Sequence, residues 1–177
     1  SGVISIIAIS ILLSTMVQYV NRVERADSSV KICRMDVNSA AREIREMALN
    51  SDTSTYDGYE QNVKDQLAEV DSELKALKET GVVTDDLYQE YTTALSDWGN
   101  IGYSIIEQIK NGDLEGATDA ILNQCTPALN HVVSIGEKLD EVTDQASTRA
   151  IRSTLVLAII GIACIIIFLA LAIYLAN

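Results

Sequence analysis

The chain has 177 residues and a formal net charge of −12, with 25 acidic against 13 basic side chains. That balance argues against nucleic acid as a partner, because phosphate binding needs a basic surface, and against a domain lying flat on anionic lipid. One Pro, one Phe and few alternating β-branched or aromatic runs argue against a β fold and leave an all-α chain.

Residues 3–20 carry no charge and mix Ile, Leu and Val with small Ser and Thr residues plus Gln18. A cleaved signal peptide would show a basic start and a small-residue cleavage site, and neither is present. The chain also has no initiator Met. The expectation is a first transmembrane helix over residues 1–20, shortened at its N-terminus in a chain cut from something longer. Its small hydroxyl residues suit close helix contact in lipid.

A heptad seam then runs through Val23, Ala26, Val30, Cys33, Val37, Ala40, Ile44 and Met47, which predicts a helix to about Asn50. The polar cluster at residues 50–55 is a turn with several candidate caps. A second helix places Tyr56, Tyr59, Val63, Leu67, Val70, Leu74 and Leu77 on one seam and stops at Gly81. Thr84, followed by Asp85 and Asp86, starts a third helix. Its seam is Leu87, Tyr91, Ala94, Trp98, Ile101, Ile105 and Ile109. Asp113 caps the fourth helix after the connector Asn111-Gly112.

The fourth helix alternates steps of four and three through Leu114, Thr118, Ile121, Cys125, Ala128, Val132, Ile135, Leu139, Val142 and Ala146. After Arg149 and Arg152 it becomes an apolar stretch, uncharged over residues 155–175. That stretch is long enough to cross a hydrocarbon core of ~30 Å. No Pro or Gly breaks the join, so bundle helix and span form one rod. Three short connections give an up-down-up-down antiparallel four-helix bundle, with helices one and four continuous with transmembrane helices. The expected domains are residues 1–20 (first span), 21–150 (bundle) and 151–177 (second span). An even number of antiparallel helices returns the chain to the membrane it left, so the bundle stands on one face of the bilayer. Arg149 and Arg152, at the bundle end of the second span, are placed for snorkelling to headgroups.

An enzyme is not expected. There is a single His, His131, no metal-ligand spacing, no glycine-rich phosphate loop, and no cofactor is implied. Cys33 and Cys125 fall on apolar seams and read as core thiols. Their heights of about 20 and 39 Å above the membrane, at ~1.5 Å per residue, keep them from bonding within one subunit.

The arginines of helix one are more informative. By 100° steps Arg42 points away from the bundle core, while Arg45, Arg34 and Asn38 lie on one flank. Two readings stand. The arginines pair with Glu43, Glu46 and Asp36 on their own helix, or they form a carboxylate site, since guanidinium supplies bidentate donors. Arg42 and Arg45 lie about 33–38 Å above a membrane exit near Val20, and Thr126 and Asn130 lie at about 32–38 Å on helix four. The two sets are level. Pro127, the sole proline, sits between Thr126 and Asn130 and frees a backbone carbonyl that can bend the rod.

The layout resembles the four-helix-bundle sensor of methyl-accepting chemotaxis proteins with both flanking spans. The run Asn38-Ser-Ala-Ala-Arg42-Glu-Ile-Arg45-Glu-Met-Ala-Leu-Asn-Ser-Asp52 is similar to that family's first-helix stretch. Arg45 matches a ligand-binding arginine there, and the partner arginine falls on Ala41, with Arg42 one position along. Thr126 before Pro127 matches a helix-four Thr that meets the ligand's amino group. The resemblance implies an extracytoplasmic sensor in a multi-pass cell-membrane protein, working as a homodimer. A small-molecule ligand (an amino acid, organic acid or similar) would sit at the dimer interface, with Arg42, Arg45, Asn38, Arg34, Thr126 and Asn130 as candidate contacts. Membrane lipid surrounds the spans, and output runs through helix four to a cytoplasmic histidine kinase and adaptor for chemotaxis. Two alternatives stay open: the same sensor on a histidine kinase or cyclase, and a non-sensory membrane-anchored bundle.

Overall fold

The computed structural model describes residues 2–176; within them, the side chains of residues 2–6, 8, 172, 175 and 176 lie outside the described set. The expected all-α bundle is what forms. Helix α1 runs unbroken over Gly2–Leu49, α2 over Tyr56–Thr80 and α3 over Asp85–Lys110. The fourth rod comprises α4 (Leu114–Ala120), a π-helical turn at Ile121–Cys125 and α5 (Thr126–Ala176). Connections are short, so neighbours in sequence run antiparallel.

Local chemistry sets each boundary. Thr84 Oγ1 accepts the Leu87 N–H, and Asp113 Oδ1 accepts the Gly116 N–H at 2.9 Å. Both caps satisfy amide groups that a helix start leaves orphaned. Gly81 ends α2 in the left-handed region at φ 63°, which a Cβ would penalise. Between α1 and α2, Asn50 acts as a hub. Its carbonyl accepts the Tyr56 hydroxyl at 2.9 Å, and its side-chain oxygen accepts the Asp52 N–H. A single 3₁₀ turn, Thr53–Thr55, completes that corner.

The core is one elongated column. All eight predicted seam positions of α1, from Val23 to Met47, are buried. From Ala26 to Met47 they share one core with Val63, Val70, Leu74 and Leu77 of α2, Tyr91, Trp98, Ile105 and Ile109 of α3, and Val132, Ile135 and Leu139 of α5. The small residues Ala26, Cys33 and Ala40 let α1 pack closely against α2 along its length. Gly102 of α3 fits against Ile44 of α1 so tightly that an added Cβ would lie 2.9 Å from Ile44 Cδ1.

Burial stops sharply at the lower end of the column. Val23 is 1% exposed and Val17 is 58%; Ala150 is 2% exposed and Ile151 is 57%. Below those levels α1 and α5 present apolar side chains outward: Ile9, Leu12 and Leu13 on one, Ile159, Ile166 and Phe168 on the other. The fourth rod contains a stretch long and apolar enough to cross a membrane, none of it buried in the protein. The expected first span is helical from Gly2, but its side chains at residues 1–6 and 8 lie outside the described set.

The start of the fourth rod departs from the predicted seam. Leu114 and Thr118 are exposed, while Ala117 and Ala120 are buried. From Cys125 onward the predicted seam holds at Val132, Ile135 and Leu139, with Leu129 buried where Ala128 is only half-buried. The π turn is the reason. It holds one more residue than an α turn, so the inward face above it sits one position earlier in sequence than strict four-three alternation places it.

Candidate functional site

The six candidate ligand contacts divide into three settings. Arg34 is half-buried and committed: its Nη1 pairs with Asp140 Oδ2 on α5. Gly136 makes room for it, since a Cβ at that position would lie 3.3 Å from Arg34 Cγ. The Arg34 carbonyl accepts the Asn38 side-chain amide at 2.8 Å, so Asn38 spends a donor on its own helix. Arg34 is thus tied to α5, while Asn38 stays exposed on the outer face of α1.

Arg42 is 63% exposed and points outward, as the helical angles require. It donates to Ser39 Oγ at 3.3 Å and lies 3.6 Å from Glu46 and 3.9 Å from Glu43. These are loose pairs along one helix face. Asp36, the third acid considered as an arginine partner, is elsewhere. It turns toward Glu69 and Glu73 of α2, and one of its oxygens is buried without a hydrogen bond. Burial, and then the two neighbouring carboxylates, push its pKa up.

Arg45 differs from both. It is half-buried, and among the described residues no carboxylate lies within ion-pair distance. Its charge is close enough to act on Cys125 in the π turn. Burial pushes the Cys125 thiol up, against the smaller opposing pulls of the Trp98 indole N–H and the Arg45 guanidinium. Trp98 Nε1 is buried without an acceptor of good geometry. The fold thus brings Arg45 of α1, Trp98 of α3 and Cys125 of the fourth rod to one level, the level expected from helix rise.

The π turn ends on a specific bond pattern. The Ile121 carbonyl accepts the backbone N–H of Thr126 and also its hydroxyl, Oγ1, at 2.8 Å. Thr126 is half-buried, and its hydroxyl proton serves the helix rather than open space. Pro127, which has no N–H, follows on the exposed side, and Asn130 is exposed one turn later. A proline inside a helix clashes with the carbonyl four residues back, here that of Asn123. The wider π turn is one of the few ways a helix relieves that clash without breaking.

Sequence reasoning singled out Pro127, and it missed the π turn, the Asp140 partner of Arg34 and the role of Gly136. Among the described residues no group of three or more His, Cys, Asp or Glu could hold a metal ion. The arrangement offers one half-buried cation without a counter-ion beside a locally rewound helix. A guanidinium so placed has donors to offer a carboxylate or other anion.

The model of a family described as a four helix bundle sensory module for signal transduction matches residues 28–158. No curated protein and no solved structure matches the chain.

Proposed function

The chain belongs to the four-helix-bundle sensory modules for signal transduction, and from that premise we propose that it is the sensing region of a transmembrane chemoreceptor. The module is a non-catalytic sensory domain. In this reading residues 21–150 form the extracytoplasmic sensor, and α1 and α5 continue into two spans at residues 1–20 and 151–177. Two copies associate along the outer face of α1, where Met35, Asn38 and Arg42 stand exposed. The ligand is a small carboxylate-bearing solute, an amino acid or organic acid, held between subunits at the level of Arg45.

The observation that carries the proposal is the continuity of the fourth rod. Thr126–Ala176 is one helix. It starts at the π turn beside Arg45 and continues into apolar surface that nothing in the protein covers. A shift at the π turn reaches the membrane with no loop to absorb it. Output then passes to cytoplasmic signalling domains, with a histidine kinase and its adaptor as partners, for chemotaxis.

The test is a thermal-shift screen of the full chain, held in nanodiscs, against amino acids, organic acids and amines. A ligand that binds the native state raises Tm by mass action, by an amount equivalent to about 2.7 kcal/mol at a hundredfold excess over Kd. Arg45→Ala should abolish the shift. A ligand whose shift survives both Arg45→Ala and Arg42→Ala places the site elsewhere.

A further inference from the structure

We propose that a cleft at the lower end of the bundle, between α1, the α2–α3 turn and α5, holds the phosphate of an anionic phospholipid headgroup. The proposal rests on the reading that the apolar ends of α1 and α5 enter a bilayer. It adds a specific lipid site to that reading.

The distribution of unpaired cations points there. Most of the 13 basic side chains have a carboxylate within 4.0 Å, as an acid-rich chain makes easy. Among the described residues five do not: Arg22, Arg45, Lys78, Arg149 and Arg152. Lys78 lies over the Tyr88 ring at 5.2 Å, a cation–π contact. Arg45 belongs to the candidate ligand site. The remaining three gather where burial ends, between Val17 and Val23 on α1 and around Ala150 on α5.

Two of those three line one cleft. Arg22 of α1 and Arg149 of α5 face a cavity of about 370 Å³, and no Asp or Glu contributes to its walls. Tyr19, Val82 and Val142 supply apolar wall. Gly81 contributes the open backbone of the α2–α3 turn, where even an added Cβ would meet nothing within 4 Å. Arg149 makes one long hydrogen bond, to Gln145 Oε1 at 3.4 Å, which leaves guanidinium donors free.

The occupant follows from this chemistry. A guanidinium binds a phosphate bidentately, and two of them facing one cleft without a carboxylate match a phosphodiester anion. Tyr19 and Arg149 of the cleft each lie two residues from an outward apolar side chain, Val17 and Ile151. A free phosphate has no use for the apolar wall, whereas the glycerol and upper acyl carbons of a phospholipid do. Lipid held here would tie α1 to α5 at the point where their relative height matters most for signalling.

The test uses the full chain in detergent, titrated with phosphatidylglycerol or phosphatidylcholine and read by native mass spectrometry. Bound phosphatidylglycerol should exceed phosphatidylcholine. The double variant Arg22→Ala/Arg149→Ala should weaken phosphatidylglycerol binding by about tenfold or more, the scale of one lost charge-assisted hydrogen bond. Arg22→Lys/Arg149→Lys should keep part of it, and circular dichroism checks that each variant is folded. Arg152→Ala, outside the cleft, should change binding by less than about twofold. An equal loss in Arg152→Ala would mean diffuse attraction to the interface and overturn the site. Displacement of the lipid by millimolar inorganic phosphate would make the cleft a free-anion site and overturn the lipid assignment. Liposome flotation reads the membrane premise separately. A chain that floats, yet binds phosphatidylglycerol equally well without both arginines, sinks this proposal alone; a chain that does not float sinks both.

Discussion

The carbonyl of Ile121 accepts two hydrogen bonds from Thr126, one from its backbone N–H and one from Oγ1 at 2.8 Å. The backbone bond spans five residues and defines the π turn, and the hydroxyl bond reinforces it. The same turn separates two seams that do not share one α-helical register. Ala117 and Ala120 are buried above it, and Cys125, Leu129 and Val132 below it. The π turn is therefore a register correction of one residue, placed at the level of Arg45.

Deleting one residue from the turn is a direct check. In a Pro127→Ala background, which removes the clash that the π turn relieves, deleting Leu122, which is exposed, lets an ordinary α-helix carry Ala117, Ala120, Cys125, Leu129 and Val132 on a single face. The expected result is a folded bundle with a Tm within about 5 °C of the parent. A deletion inside a regular bundle helix, such as Ser134 in α5, rotates every following seam residue by ~100° and should cost several kcal/mol. If deleting Leu122 is as damaging as deleting Ser134, the register account is wrong. The repaired rod should also lose its ligand-induced response while keeping its fold.

The legible and illegible parts of this chain differ by range. Thr84, Gly81 and Asp113 were readable as helix ends because a cap acts within three or four residues. The seam of α1 was readable because no Gly or Pro interrupts residues 3–57. The top of the fourth rod was misread because four-three spacing was extended upward through Thr126-Pro127 as if the helix were regular. The proline carried the warning, since its ring crowds the carbonyl four residues back and removes one backbone donor, which favours a local change of winding. The Arg34–Asp140 pair joins residues far apart in sequence, so no periodicity shows it. Helix rise does: Arg34 lies about 21 Å above Val20 and Asp140 about 17 Å above Ile151. The level of Arg45 and Cys125 came from that same calculation.

Arg34 and Arg42 should separate cleanly in stability measurements. Arg34 is half-buried in a cross-helix pair with Asp140, whose other oxygen is buried without a hydrogen bond. Exposed pairs contribute about 0.2–1 kcal/mol and breaking a fully buried one costs about 3–5 kcal/mol, so a half-buried pair falls near the lower range. Arg34→Ala should cost about 1 kcal/mol, a fall of roughly 2–4 °C in Tm. Arg42→Ala, which removes only loose contacts on an exposed face, should stay within about 0.5 kcal/mol. Urea titrations of both variants decide it, and equal losses would contradict the assignment of Arg34 as a tie between α1 and α5.

Asp36 gives a pH signature of defined sign. Its carboxyl is pushed up by burial and by Glu69 and Glu73. Between the ordinary carboxylate pKa and the raised native one, the native state binds more protons than the unfolded state. Stability at this site therefore falls as pH rises through that window, and the cost is fully present above the raised native pKa. Asp36→Asn removes the charge and keeps the shape. Its Tm should exceed the parent's by roughly 1–3 °C at pH 7, and the difference should shrink as the pH drops toward 4. A parent that stays ahead at pH 7 would show that Asp36 has a stabilising partner in solution.

The two bundle thiols should be nearly inert, and unequally so. Cys33 is buried, its Sγ lies 3.7 Å from the Val70 carbonyl, and burial with the nearby Glu73 and Asp36 charges pushes its pKa up to about 12. Thiolate is the reacting species. At pH 8 the thiolate fraction of such a group is roughly 10³-fold below that of an ordinary thiol. Cys125 is also raised by burial, but Trp98 and Arg45 pull the other way. In a Cys164→Ser background, N-ethylmaleimide at pH 8 should modify Cys125 faster than Cys33, with both at least about a hundredfold slower than in denaturant. Because Arg45 favours the thiolate, Arg45→Ala should slow Cys125 and leave Cys33 unchanged. An anion bound at Arg45 should slow Cys125 in the same way, which turns this thiol into a reporter of the proposed site. A Cys33 rate that tracks Cys125 through these changes would mean that both rates report global opening of the bundle rather than the electrostatics at Arg45.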